Sequence, residues 1–226
     1  MKRSCTILVA STLVALCTVS SVNGQVAPKR FQVVILGGWQ TFAGSSGLES
    51  GPTVAFDATY YLKSSLGFGL WTDFTAGESD GTMFTPAAFS FQDSTTFYSI
   101  NQSVDIWHYG LYGKLQLDRR TAPFLLLGAG GYTTFLDPHQ NYGKTTTTGF
   151  VLRFGGGVDF AISNAMGVEL AVYDMFYPDW DYSVLQPVRE EFQNTRFPEL
   201  NPESGQLSES VHNIRLLVGF TLVPGI

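Results

Sequence analysis

Residues Val211–Val223, VHNIRLLVGFTLV, constrain the fold more than any other stretch of the chain. Ile214, Leu216, Val218, Phe220 and Leu222 share one face at period two. Asn213, Arg215, Leu217, Gly219 and Thr221 share the other. Such alternation describes a strand, not a helix. The stretch outruns the ~5–6 residues usual in a globular strand and reaches the ~9–11 that a tilted strand needs to cross a bilayer. Turning Arg215 toward lipid would cost roughly 2–4 kcal/mol at the midplane. The apolar face therefore points outward and the polar face inward, as expected of the closing strand of a transmembrane barrel.

Seven earlier segments carry a comparable pattern. Arg30–Ala43 sets Phe31, Val33, Ile35 and Trp39 against Gln32, Gly38 and Gln40. Thr53–Leu62 sets Val54, Phe56, Ala58, Tyr60 and Leu62 against Ala55, Asp57, Thr59 and Tyr61. In Leu66–Ala76, Leu66, Phe68, Leu70 and Phe74 oppose Gly67, Gly69, Trp71 and Asp73. In Ser103–Leu117, Trp107, Tyr109, Leu111, Leu115 and Leu117 oppose His108, Tyr112, Lys114 and Gln116. Gly149–Ile162 places Phe150, Leu152, Phe154, Val158, Phe160 and Ile162 opposite Arg153, Gly155, Gly157 and Asp159. Ala165–Tyr177 places Val168, Leu170, Val172 and Phe176 opposite Glu169, Ala171 and Tyr173. Ala122–Phe135, which contains LLLGAGGY, does not declare its faces.

Connections alternate between short and long. Lys63–Ser65, Asp118–Thr121 and Ser163–Asn164 are short, while Ser45–Gly51, Gly77–Gln102, Leu136–Thr148 and Pro178–Glu209 are longer. Outer-membrane barrels have short periplasmic turns and longer external loops. The pattern predicts an all-β, eight-stranded, antiparallel up-and-down transmembrane β-barrel. Lys63, Arg119 and Arg120 should lie on the periplasmic side, with the long loops outside.

The first 24 of the 226 residues read as a cleavable signal peptide, leaving residues 25–226 as the barrel domain. Lys2 and Arg3 precede an apolar run from Ile7 to Leu16, and Val22-Asn23-Gly24 suits cleavage before Gln25. Cleavage before Cys17 would make a lipoprotein, but Leu16 is too bulky for that motif. Cys5 and Cys17 both leave with the signal, so neither a disulfide nor a thiolate metal site is expected. The formal charge of −6, more negative once Lys2 and Arg3 are removed, argues against a nucleic-acid partner. Aromatics at 14% and 24 glycines fit lipid-facing girdles and a narrow lumen.

The glycine–aromatic runs Pro123–Tyr132 (PFLLLGAGGY), Phe154–Val158 (FGGGV) and Val218–Leu222 (VGFTL) resemble the eight-stranded outer-membrane β-barrel superfamily. This superfamily includes the OmpA-type transmembrane domain and its OmpX-, OmpW- and opacity-like porin relatives. The likeness runs from about Lys29 to Val223. It implies residence in the bacterial outer membrane, with outer-membrane lipid and the barrel-insertion machinery as partners. Members commonly end on an aromatic residue, whereas six residues follow Phe220 here.

The inward positions carry Asp57, Asp73, Lys114, Arg153, Asp159, Glu169 and Arg215. An eight-stranded lumen is just wide enough for side chains to fill. Charges enclosed there need partners. The turn at Ser163–Asn164 brings Asp159 close to Glu169, and Arg153 and Arg215 are expected to neutralise the two, with Arg215 a principal partner of Glu169. Such a network resembles the salt-bridged interior of the OmpA-type domain and would plug the barrel. The alternative is separate hydrated charges around a thin water column. The aromatics Trp39, Tyr60, Trp107, Tyr109, Tyr132, Phe176 and Tyr177 are expected to form interfacial girdles.

No catalytic, cofactor or metal site is expected. Gly128-Ala-Gly-Gly131 and Gly155-Gly-Gly157 lack the Lys-Ser/Thr and following helix of a phosphate-binding loop. His139 beside Asp137 offers too few ligands for a metal. Loops Gly77–Gln102 and Pro178–Glu209 are aromatic and acidic, suited to packing over the barrel mouth or to a host-surface or small-molecule ligand. A monomer is expected. Two other readings compete. A lipid-modifying enzyme, like a lipid A deacylase or palmitoyltransferase, would need a His and a Ser meeting at the outer rim, yet none of His108, His139 and His212 starts a His-x-Ser triplet. A soluble periplasmic ligand-binding barrel would turn the apolar faces inward.

Overall fold

The computed structural model describes residues 30–43, 46–79, 87–91, 94–98, 103–117, 119–137, 146–181 and 208–224. Eight long strands close into one antiparallel barrel in the order β1-β10-β9-β8-β7-β6-β3-β2. They are β1 (Phe31–Thr41), β2 (Gly51–Lys63), β3 (Leu66–Glu78), β6 (Ser103–Gln116), β7 (Thr121–Asp137), β8 (Thr146–Ala161), β9 (Met166–Asp181) and β10 (Ser208–Leu222). A separate two-stranded hairpin, β4 (Ala87–Phe91) and β5 (Ser94–Tyr98), occupies part of the connection read from sequence as a loop. Barrel neighbours are neighbours in sequence apart from that hairpin and the β1–β10 closure, so the topology is up-and-down.

The register fixes the tilt. Partner to partner, Phe31 leads through Tyr60, Phe68, Gly113, Leu127, Phe154, Asp174 and Ile214 back to Thr41. The circuit closes ten positions further along β1 (31 to 41). Such a stagger in eight strands tilts them by about 40°.

The outer wall is apolar. Leu216, Val218 and Phe220 are 58%, 53% and 66% exposed. Leu70, Leu111, Leu125 and Leu127 are exposed likewise on other strands. Asp57, Arg153, Glu169 and Arg215 are all buried inside. A soluble barrel with an apolar interior is therefore ruled out. The β7 faces also resolve: Phe124, Leu126 and Tyr132 point inward, while Leu125, Leu127 and Phe135 point outward. Its alternation is hidden in the sequence because bulky apolar groups fill both sides.

Glycines make room for the large inward rings. Gly69 and Gly128 flank Tyr112 on its two neighbouring strands. A Cβ at Gly69 would sit 2.5 Å from the Tyr112 ring. Gly149 stands beside Tyr132 in the same way, with its missing Cβ 2.5 Å from that ring. Gly149→Val should therefore destabilise the barrel by about 1–3 kcal/mol, the usual cost of overpacking. Gly37→Val, where an added Cβ meets nothing within 4 Å, should be nearly silent. Urea titration in lipid vesicles measures both, and equal effects would contradict this account of the glycines.

The short turns join β2 to β3, β6 to β7 and β8 to β9 at one end, and the longer connections lie at the other. With the short turns in the periplasm, protease added to intact cells should cut within residues 182–207 and spare Arg119–Arg120. Cleavage confined to Arg119–Arg120 would reverse the orientation.

Candidate functional site

Among the described residues, buried polar chemistry is concentrated in the lumen. Every second residue of each strand points into it. Closure of the barrel sets groups from distant strands face to face, in three tiers.

At the end of the barrel that carries the short turns, Lys114 of β6 reaches across to Glu169 of β9, Nζ to Oε2, at 2.8 Å. The same ammonium lies 4.0 Å above the Phe124 ring. Tyr173 donates to the other Glu169 oxygen at 3.2 Å. Asp159 is the direct cross-strand neighbour of Glu169. It accepts from Gln32 Nε2 at 2.6 Å and from Thr221 Oγ1 at 3.2 Å. The Tyr61 hydroxyl lies between the side-chain amide oxygens of Gln32 and Gln116, at 2.7 and 2.5 Å.

The middle tier is built on Arg153. Its two terminal nitrogens bind both oxygens of Asp57 at 2.8 and 2.7 Å, a fork-on-fork pair. Its guanidinium carbon lies 3.9 Å over the Tyr173 ring, with Trp71 and Tyr112 also near. Stacking on aromatic faces suits a delocalised, weakly hydrated cation. Tyr112 hydrogen-bonds Thr59.

The outer tier joins Arg215, Asp73 and His108. Arg215 Nη1 lies 2.6 Å from Asp73 Oδ2, and its Nε donates to Gln40 Oε1 at 2.5 Å. His108 Nδ1–H donates to Asp73 Oδ1 at 2.6 Å, and His108 Nε2 accepts from the Tyr177 hydroxyl at 2.7 Å. Above it, Tyr132 stacks on Trp180 at 5.2 Å, and both meet Tyr177 edge-on at about 5.1 Å. Trp180 Nε1 donates to the Ser46 carbonyl at 3.1 Å, tying β9 to the connection after β1. These rings and Val104, Ile106, Val151 and Val211 are fully or almost fully buried.

Two expectations need correction. Arg215 does not pair with Glu169. It sits opposite Tyr173 in the β9–β10 register, whereas Glu169 faces Gly219, four residues nearer the short turns. At ~3.3 Å per residue the two are too far apart to meet. Lys114 takes Glu169, Arg153 takes Asp57 and Arg215 takes Asp73. Second, Tyr132 and Tyr177 are not interfacial. Both are fully buried, because Tyr177 continues the inward series Glu169, Ala171, Tyr173 and Tyr132 shares the parity of Phe124 and Leu126. Trp39, Tyr60, Trp107 and Tyr109 are exposed on the outer wall, and Trp107 donates to Thr72 Oγ1 at 2.7 Å. Phe176 is partly exposed and stacks on His212. Gln32, Gln40 and His108, which the sequence places on the inward faces, join the lumen network. Trp180 joins it too, because β9 runs on to Asp181 through the start of the stretch Pro178–Glu209 read from sequence as a loop.

Both described histidines pair with a carboxylate: His108 with Asp73 inside, and His212 with Asp174 on the outer wall at 2.9 Å. Among the described residues no serine hydroxyl is hydrogen-bonded to either ring. His139 lies outside the described residues.

Comparison with known proteins agrees with this architecture. The Neisserial surface protein A structure is 14% identical, with a TM-score of 0.54 over 85% of this chain and 96% of that one. OprG from Pseudomonas aeruginosa is 11% identical, with a TM-score of 0.44 over 90% of this chain and 100% of that one. Ail of Yersinia pestis, in complex with the heparin analogue sucrose octasulfate, is 10% identical, with a TM-score of 0.42 over 85% and 99%. The first of these supports the fold. No curated protein sequence matches the chain. A family model described as the outer membrane protein beta-barrel domain matches residues 9–183, well over half the chain. The chain therefore belongs to the outer membrane protein beta-barrel domain family, and its place is the bacterial outer membrane.

Proposed function

We propose that this protein is a non-enzymatic outer-membrane barrel, closed to solutes along its lumen, that acts at the cell surface through its outer loops. The observation that carries the reading is the filled lumen. Paired charges occupy it from the Gln32–Glu169 level up to Arg215, and the Tyr132–Tyr177–Trp180 cluster lies above them. A barrel so filled has no continuous polar route for a solute, which leaves the loops as its working surface. The connection over residues 182–207 carries Tyr182, Phe192 and Phe197, with Glu190, Glu191, Glu199 and Glu203 against Arg189 and Arg196. Aromatic anchors of this kind dominate binding surfaces. His108 favours a structural role over catalysis, since it is buried and both ring nitrogens are engaged. In this reading residues 1–24 direct export, the insertion machinery places the barrel, and it works as a monomer in outer-membrane lipid.

The test compares attachment to cultured host cells by bacteria carrying the full chain and by bacteria with residues 183–206 replaced with a short Gly–Ser linker. Attachment should fall to background in the second strain while heat-modifiable migration shows the barrel still folded. Equal attachment by both strains, or none by the full chain, would contradict the adhesive reading.

A further inference from the structure

The middle and outer tiers of the lumen are short of hydrogen-bond acceptors. Gln40 Nε2, Asn213 Nδ2, Trp71 Nε1 and Arg153 Nε are buried there without a hydrogen-bond partner. Among the described residues, the unpaired acceptor of the same tiers is Asp73 Oδ2, and the Arg215 cation lies 2.6 Å from it. A buried N–H that finds no acceptor carries the full penalty of leaving water. Such atoms in a folded protein call for an explanation.

Two of these donors meet at one place. Gln40 pairs with Arg215 across β1 and β10, and Asn213 is the next inward residue of β10. Both are fully buried. Their amide orientations are fixed by what their oxygens accept. Gln40 Oε1 takes Arg215 Nε at 2.5 Å and Thr75 Oγ1 at 3.1 Å. Asn213 Oδ1 takes the Ala43 backbone N–H at 3.0 Å. Each NH2 group therefore points away from those partners, and both amides stand next to the Tyr177 hydroxyl. That hydroxyl gives its own proton to His108 Nε2 at 2.7 Å. The stacked Tyr132 and Trp180 rings, packed on Tyr177, screen the place from the outer mouth.

We propose that the Gln40 and Asn213 amides, beside Tyr177, form a buried site for one small monoanion of the halide class, such as chloride. An acceptor without protons suits the place better than water does. A water that accepted from both amides would bring two protons of its own, with the Tyr177 oxygen free to take one. The charges around the site are already paired, Arg215 with Asp73 and Arg153 with Asp57. The anion is therefore held by N–H dipoles and not by surplus positive charge, which fits a single charge and disfavours sulfate or phosphate. Enclosure among aromatic rings strengthens each such hydrogen bond. The bound anion completes the bonding of the outer tier and so reinforces the closed lumen.

The experiment folds the mature chain into phosphatidylcholine vesicles in chloride–gluconate mixtures of constant ionic strength, gluconate being too large for the site. Urea unfolding is followed by tryptophan fluorescence. Above half-saturation, the unfolding constant of the wild type should fall about tenfold for each tenfold rise in chloride, as for one ligand bound to the folded state alone. Gln40→Glu keeps an oxygen for Arg215 and Thr75 and puts a second oxygen where the anion's donor was, so the chloride response should vanish. Asn213→Asp keeps the oxygen for Ala43 and should abolish the response in the same way. Heat-modifiable migration checks that each variant is folded. Crystals of the wild type grown in bromide should show an anomalous peak between Gln40 and Asn213. No chloride response in the wild type, an undiminished response in a folded variant, or density at the site without a bromide signal, which means water only, would overturn the proposal.

Discussion

Arg153→Met should destabilise the barrel by about 3–5 kcal/mol, the cost of leaving one member of a buried ion pair without its partner. Asp57 is buried and holds both of its oxygens against the Arg153 guanidinium. Without that cation, the carboxylate faces Tyr112, Trp71 and the chain of the new methionine. The double variant Arg153→Met/Asp57→Leu should recover most of the loss, since a buried pair replaced by apolar groups of similar volume is often neutral. Urea unfolding in lipid vesicles, followed by tryptophan fluorescence, reads both. If Arg153→Met costs less than about 1 kcal/mol, as for an exposed pair, the charges are hydrated and not packed.

Val218→Arg should cost about 2–4 kcal/mol by the same measurement. Val218 is the central residue of the outward series Ile214, Leu216, Val218, Phe220, Leu222, so its position is the deepest in the band. Ser103→Arg, at the exposed outer end of β6, should cost no more than about 1 kcal/mol, because the penalty fades toward the interface. Equal costs at the two positions would show that β10 does not face lipid as assigned.

The faces of the strands were legible in the sequence wherever lipid and lumen make opposite demands. β10 is the clearest example: five apolar residues outside and Arg215 inside leave one register. Parity alone also assigned Asp57, Asp73, Lys114, Arg153, Asp159, Glu169 and Arg215 to the interior, where all seven are buried. Their partners were not legible. Lys114 meets Glu169 from β6 to β9, and Arg153 meets Asp57 from β8 to β2. Those meetings depend on the stagger of the whole barrel and on side-chain reach, and neither is written in any one strand. Tyr132 and Tyr177 were misread for a related reason. An aromatic near a strand end serves a girdle or a lumen cap equally well, and only parity separates the two. The β4–β5 hairpin escaped because its short strands look like any aromatic loop. Asp174 and His212 drew no notice as a pair, since they lie on different strands and meet diagonally.

The central claim is that the lumen is packed and closed, and single-channel recording in a planar bilayer tests it most directly. The wild-type protein should show at most small and rare openings. Arg215→Ala, which removes the cation shared by Asp73 and Gln40, should raise their size and frequency. A large, steady current through the wild-type barrel would contradict the account.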